Sequence, residues 1–160
     1  MTFGKLILIL EEATMKLAIG CDHAGPELKK EVLAYLDEIG VEYVDLGVQE
    51  GEKCDYPDKA QEVCAKVTSG ECELAVLICG TGIGMSMAAN KVKGIRAACC
   101  SDYFSAKYTR AHNDANVLCI GARVVGSGLA CELIKVFIDT PFEGGRHQRR
   151  VDKIHAIENV

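Results

Sequence analysis

The sequence predicts an α/β protein: one domain built on a doubly wound, five-stranded parallel sheet, followed by a C-terminal helical tail. Five short, nearly continuous apolar runs recur along the chain, as strands buried on both faces require. Segments with helical periodicity separate them, so strand and helix alternate and right-handed crossovers follow. The chain has 160 residues, 49% of them hydrophobic and 26% charged, which suits a single soluble domain with a real core.

The first strand is read at Lys16–Gly20. Pro26 to Ile39 then places Leu28, Val32, Leu33, Leu36 and Ile39 on one helical face, with Gly40 as the stop. A second strand, Glu42–Leu46, leads to a helix from Pro57 to Thr68 that opens on its proline. Leu74–Cys79 is the third strand, and Met85–Val92 reads as the helix behind it. Ile95–Cys100 with Asp102–Ala111, then Asn116–Gly121 with Ser127–Ile138, complete five β–α units. The pattern is Rossmann-like, without internal repeat, low-complexity tract or linker.

Residues 1–14 stand apart. Leu6-Ile7-Leu8-Ile9-Leu10 is too short to span a bilayer and lacks a signal-peptide cleavage site. Met15 is expected to be the natural start, Glu11-Glu12-Ala13 fitting a purine-rich ribosome-binding sequence read through into protein. An added edge strand is the alternative. The domain is therefore placed at residues 15–160.

A formal net charge of −5 argues against nucleic-acid or anionic-membrane binding. Nine cysteines include no Cys-x-x-Cys and no zinc-finger spacing. Cys79, Cys99 and Cys119 fall in apolar runs, where cysteine acts as a small hydrophobe, so a reduced cytoplasmic protein is expected.

In such a sheet, chemistry gathers outside the carboxyl ends of the strands. There the sequence places Cys21-Asp22-His23, Asp45-Leu46-Gly47, Cys79-Gly80-Thr81, Ser101-Asp102 and Gly121-Ala122-Arg123. The junction at Cys79-Gly80-Thr81-Gly82-Ile83-Gly84 is the most informative. A strand, a glycine-alternating loop and a helix aim backbone N–H groups at an anion, and the same field favours a thiolate at Cys79. Blander readings stand beside each candidate. Asp22 could cap a helix, Cys79 alone could be a buried strand residue, and His112-Asn113-Asp114 could be a solvated turn. Arg146 and Arg150 could lie on a charged exposed helix, but four residues apart they share one face and suit a phosphate.

Several other functions fit less well. No Lys follows the glycine loop at P-loop spacing, and the alternating glycines break the dinucleotide fingerprint. Asp102, 22 residues after Gly80, keeps nicotinamide binding in view, but no catalytic domain accompanies it. A phosphatase loop of the Cys-x5-Arg type would need arginine where Met85 stands. A non-catalytic sugar-phosphate or nucleotide-binding module is the remaining alternative.

Seven segments together carry a resemblance. Gly20-Cys21-Asp22-His23-Ala24-Gly25, Asp55-Tyr56-Pro57, Ile78-Cys79-Gly80-Thr81-Gly82-Ile83-Gly84, Ala88-Ala89-Asn90-Lys91, His112-Asn113-Asp114-Ala115-Asn116, Arg123-Val124-Val125-Gly126 and Gly144-Gly145-Arg146-His147 occur in order. They resemble the type B ribose-5-phosphate isomerases, a group allied to galactose-6-phosphate and allose-6-phosphate isomerases. The likeness runs from Met15 to about Glu158.

The resemblance implies an aldose–ketose isomerase, without metal or cofactor, acting on a phosphorylated sugar. Ribose 5-phosphate is the expected substrate, with allose 6-phosphate and galactose 6-phosphate as alternatives. Cys79 would be the base that moves a proton between C1 and C2 through an enediolate. The loop of Gly80, Gly82, Ile83 and Gly84 would face the oxyanion, and Thr81 would assist. His112 would open the sugar ring with Asn113 beside it. Asp22, His23 and Tyr56 would contact substrate, while Arg123, Arg146 and Arg150 would hold phosphate. A subgroup uses glutamate at the position of Met85, so this chain falls with the cysteine enzymes. The resemblance also implies a homodimer, or a dimer of dimers, with shared sites. The apolar Ala130–Ile138 segment is the expected subunit contact.

Overall fold

The computed structural model describes residues 14–160, so the reading of residues 1–14 as an extension falls, except for Thr14, outside them. Eleven elements follow in order. They are β1 (Lys16–Cys21), α1 (Pro26–Glu38), β2 (Glu42–Asp45), α2 (Tyr56–Thr68), β3 (Leu74–Cys79), α3 (Ile83–Ala89), β4 (Ala97–Cys99), α4 (Tyr103–Asn113), β5 (Val117–Gly121), α5 (Ser127–Asp139) and α6 (Arg146–Ile157). The strands form one parallel sheet in the order β2-β1-β3-β5-β4. The expected fold class holds, and α6 is the helical tail.

Strand order assigns the helices. Connections β1→β2 and β4→β5 run one way across the sheet, and β2→β3 and β3→β4 run the other, so right-handed crossovers put α1 and α4 on one face and α2 and α3 on the opposite one. Side chains alternate accordingly. Leu17, Ile19, Val76, Ile78, Leu118 and Ile120 pack under α1, α4 and α5, in company with Leu36, Leu133 and Phe137. Ala18, Ala75, Leu77, Cys79 and Cys119 face α2 and α3, where Val63, Cys64, Met85 and Ala89 meet them. The second face is lined by smaller residues, and the helices lie close. A Cβ on Gly20 would sit 2.4 Å from Val63 Cγ2, so only glycine fits beneath α2.

Some boundaries move. The fourth strand shrinks to Ala97–Cys99 because its neighbouring backbone is claimed by asparagines: Asn116 Oδ1 accepts the Arg96 N–H, and Asn90 pairs with both the N–H and the carbonyl of Ala97. Helix α3 begins at Ile83 rather than Met85, since Gly82 at φ +80° turns the chain directly into it. Helix α2 takes Pro57 as its second residue, which the missing proline N–H allows. Asp22 does not cap α1. Gly25 holds that position, and Asp22 accepts the Ala24 N–H at 2.9 Å in a local turn.

The expectation for α5 is corrected. Ala130, Leu133, Ile134 and Phe137 are fully buried in the chain's own core, so its apolar face is already covered and cannot serve as a subunit contact. Exposed apolar side chains concentrate instead at the carboxyl end of the sheet. Tyr56, Ile83, Tyr103, Phe104, Val124 and Leu129 all sit there, in loops and opening helical turns. Among the described residues no helix is long and apolar enough to cross a membrane.

Candidate active site

Cys79 is the last residue of β3, in the middle strand of the sheet, with its register partner Gly121 ending β5. Glycine at 121 is required because a Cβ would meet the Thr81 backbone at 2.7 Å, and this close approach seats the loop against the end of β5. The Gly82 N–H donates to Cys79 Sγ at 3.1 Å, so the sulfur is held as an acceptor inside the turn. The Ile83 N–H donates to Thr81 Oγ1 at 3.2 Å. Two of the loop N–H groups expected to face a ligand oxyanion are therefore already engaged in the free chain. Gly84 and Met85 follow in the first turn of α3, where N–H groups lack intrahelical partners.

The neighbours converge on this loop. Arg123 Nη1 comes within 3.3 Å of the Cβ position on Gly80, and the Arg123 N–H donates to the Gly80 carbonyl at 3.0 Å. The Tyr56 ring covers Gly84, 2.9 Å from its Cβ position. Asp22, only 5% exposed, directly follows β1 beside β3, with its N–H on the Ile78 carbonyl. His23 follows at the mouth of a cavity of about 510 Å³ shared with Lys53, Cys54 and Asp55. A groove of about 930 Å³ between α1, β2 and the loop after it also reaches His23, but Cys79 does not line it.

The structure separates the other predicted residues from these. Helix α4 starts beside the carboxyl end of β4 and runs antiparallel to the sheet for 11 residues, about 16 Å. Its last turn, with His112 and Asn113, therefore reaches the amino end of the strands, where Arg96 Nε donates to the Asn113 and Asp114 carbonyls. His112 stacks on His147 with ring centroids 4.1 Å apart, and Tyr108 and Phe104 extend the aromatic column along α4. Glu143 approaches both histidines, 3.4 Å from His147 Nε2 and 3.7 Å from His112 Nε2. Arg146 and Arg150 lie one helical turn apart and exposed on α6. Burial, with His112 and Arg146 close by, pushes the His147 imidazole below its ordinary value, against the pull of Glu143.

Within one chain, then, Cys79, Thr81, Asp22, His23, Tyr56 and Arg123 gather at one end of the sheet. His112, Asn113, Arg146 and Arg150 gather at the other. Glu143, His147 and Lys53 were not among the expected site residues. For His147, the spacing Glu143-x-x-x-His147 at the start of a helix was the available signal. Asp102, by contrast, is spent as the cap of α4, accepting the Ser105 N–H at 2.7 Å. Nothing about it calls for a ribose.

Five of the remaining thiols, Cys21, Cys64, Cys72, Cys100 and Cys119, are buried, while Cys54 and Cys131 are half-buried and Cys99 is exposed. Burial pushes Cys21 and Cys100 up to about 11 and Cys64 up to about 12, and also raises Cys119 well above its ordinary value. All nine cysteines are free.

A family model described as Ribose/Galactose Isomerase matches residues 17–154. The chain belongs to the ribose/galactose isomerase family. Ribose-5-phosphate isomerase B of Escherichia coli (strain K12) is 51% identical over 143 residues, covering 89% of this chain and 96% of that protein. Among solved structures, ribose-5-phosphate isomerase B of Clostridium thermocellum is 48% identical with a TM-score of 0.88, covering 91% of this chain and 98% of its own. The type B ribose 5-phosphate isomerase of Trypanosoma brucei is 47% identical with a TM-score of 0.87, over 91% and 99%. Likeness at this level covers about nine tenths of the chain, so this chain is an isomerase built on the family's fold.

Proposed function

We propose that this enzyme interconverts ribose 5-phosphate and ribulose 5-phosphate, in sites each assembled from two copies of the chain. The observation that carries this reading is the position of Cys79: a strand-end sulfur accepting the Gly82 N–H, with the Arg123 guanidinium over the adjoining Gly80. Moving a proton between C1 and C2 of an aldose needs one base and a set of donors facing the enediolate oxygens. Cys79 is the base. Thr81 and the N–H groups of Gly80, Gly82, Ile83 and Gly84 face those oxygens, with the Gly82 and Ile83 N–H groups turning from Sγ and Oγ1 when substrate arrives. Asp22, His23 and Tyr56 hold the sugar.

Ring opening needs a second acid/base, and His112 supplies it with Asn113 beside it. Because His112 stands about 14 Å down α4 from the end of the sheet that bears Cys79, it acts on sugar held by another copy. Arg146 and Arg150 bind the phosphate from the same side, and Arg123 contributes from the Cys79 side. The apolar side chains exposed around the Cys79 loop supply the surface that a second copy would cover.

The deciding assay uses purified protein and compares kcat/KM for ribose 5-phosphate, allose 6-phosphate and galactose 6-phosphate. A preference for ribose 5-phosphate is expected. Turnover of a hexose phosphate alone would keep the chemistry and replace the substrate, and no turnover of any would overturn the reading.

A further inference from the structure

We infer that His112, Glu143 and His147 form a binding site for a divalent transition-metal ion, zinc above all, and that the bound ion blocks the enzyme. The three ligand atoms lie within 4.8 Å of one another. Around a tetrahedral ion with bonds of about 2.1 Å, neighbouring donors stand roughly 3.4 Å apart. Glu143 Oε2 is 3.4 Å from His147 Nε2 and 3.7 Å from His112 Nε2, close to that spacing and too long for strong hydrogen bonds. Both ring nitrogens thus face one carboxylate oxygen without a proper bond to it.

Three elements hold the arrangement. His112 sits in the last turn of α4, His147 near the start of α6, and Glu143 in the connection between α5 and α6, its N–H donating to the Ala111 carbonyl at 3.0 Å. The two rings lie 10° from parallel. Stacked this way their in-plane lone pairs run side by side, so binding an ion requires each ring to turn about its Cβ–Cγ bond and break the stack. Two imidazoles and one carboxylate leave the fourth position of a tetrahedral ion to water.

The donor set also selects the ion. Arg146 and Arg150 on the same helix repel cations, and Glu143 supplies a single negative charge, so magnesium and calcium, which depend on several oxygen ligands, are poorly held. Imidazole nitrogens favour zinc, nickel and copper. An ion there takes the Nε2 lone pair of His112 and leaves the ring unable to pass protons to the sugar. Inhibition therefore rests on the role proposed for His112, while binding does not.

Equilibrium dialysis of the metal-stripped full chain against zinc tests the site, with cobalt as a spectroscopic substitute. One zinc per chain is expected, weakened at least about tenfold in Glu143→Gln, since losing even an outer partner of a ligand costs that much. His147→Gln should weaken it likewise. Zinc uptake unchanged in both variants, or a thiolate-to-cobalt charge-transfer band placing the ion on cysteine, overturns the proposal. Zinc should also inhibit sugar-phosphate turnover, reversibly on chelation, with Glu143→Gln needing at least about tenfold more metal. Zinc held by the trio without inhibition would overturn the blocking effect, together with the ring-opening role of His112 on which it rests, and leave only the binding site standing.

Discussion

Cys79 Sγ meets an amide N–H, whereas Cys64 and Cys119 lie sealed between the sheet and its helices. That difference in surroundings separates a candidate base from core packing among nine chemically identical side chains. Replacing Cys79 with alanine should lower kcat at least about 100-fold while substrate still binds, within the range of general-base catalysis. Near-normal turnover in that variant would remove Cys79 from the mechanism. Gly82 is constrained from two directions. Its φ of +80° costs an L side chain about 1–2 kcal/mol, and a Cβ would stand 2.9 Å from the Ile120 backbone carbon. Gly82→Ala should therefore lower the denaturation midpoint and misplace the N–H that meets Cys79, so stability and kcat fall together.

Helix α4 links the two ends of the molecule, and its capping is local and testable. Asp102 accepts the Ser105 N–H, the bond that satisfies one of the four free N–H groups at the helix start. Asp102→Ala should cost about 1 kcal/mol in urea unfolding, and Asp102→Asn should recover most of it. An unchanged midpoint in the alanine variant would show that the bond does not stabilise the helix. At its other end α4 is tied down more heavily. Arg96 and Arg110 both reach Asp114, and Arg96 also meets His155 of α6. These ties fix the last turn of α4 against α6, which is where His112 and His147 stack.

For the whole molecule, the separation of Cys79 from His112 makes a strong prediction. Inactive Cys79→Ala and inactive His112→Ala proteins, unfolded together and refolded as a mixture, should regain about one quarter of wild-type activity. Half of the dimers are then mixed, and in a two-fold assembly each of these carries one intact site of two. No recovery would mean that both residues act within one chain. Light scattering at micromolar concentration should give a dimer or a multiple of it, and a monomer would contradict shared sites.

The local pattern of residues was enough to determine the elements. Strands buried on both faces must be apolar throughout, so Leu74–Cys79 and Asn116–Gly121 were visible as runs, and Gly40 marked the end of α1. The glycine loop after Cys79 was legible for a similar reason, because a tight turn beside a neighbouring strand permits few other residues. Strand order was not. Placing β5 between β3 and β4 depends on contacts between distant segments, and that placement sets Gly121 beside Cys79. Nor did the chain's order reveal that α5 would bury its own apolar face, or that α4 would carry His112 to the far end of the sheet. Periodicity records which residues a helix buries, while what they are buried against, and where the helix ends in space, is decided only when the whole chain packs.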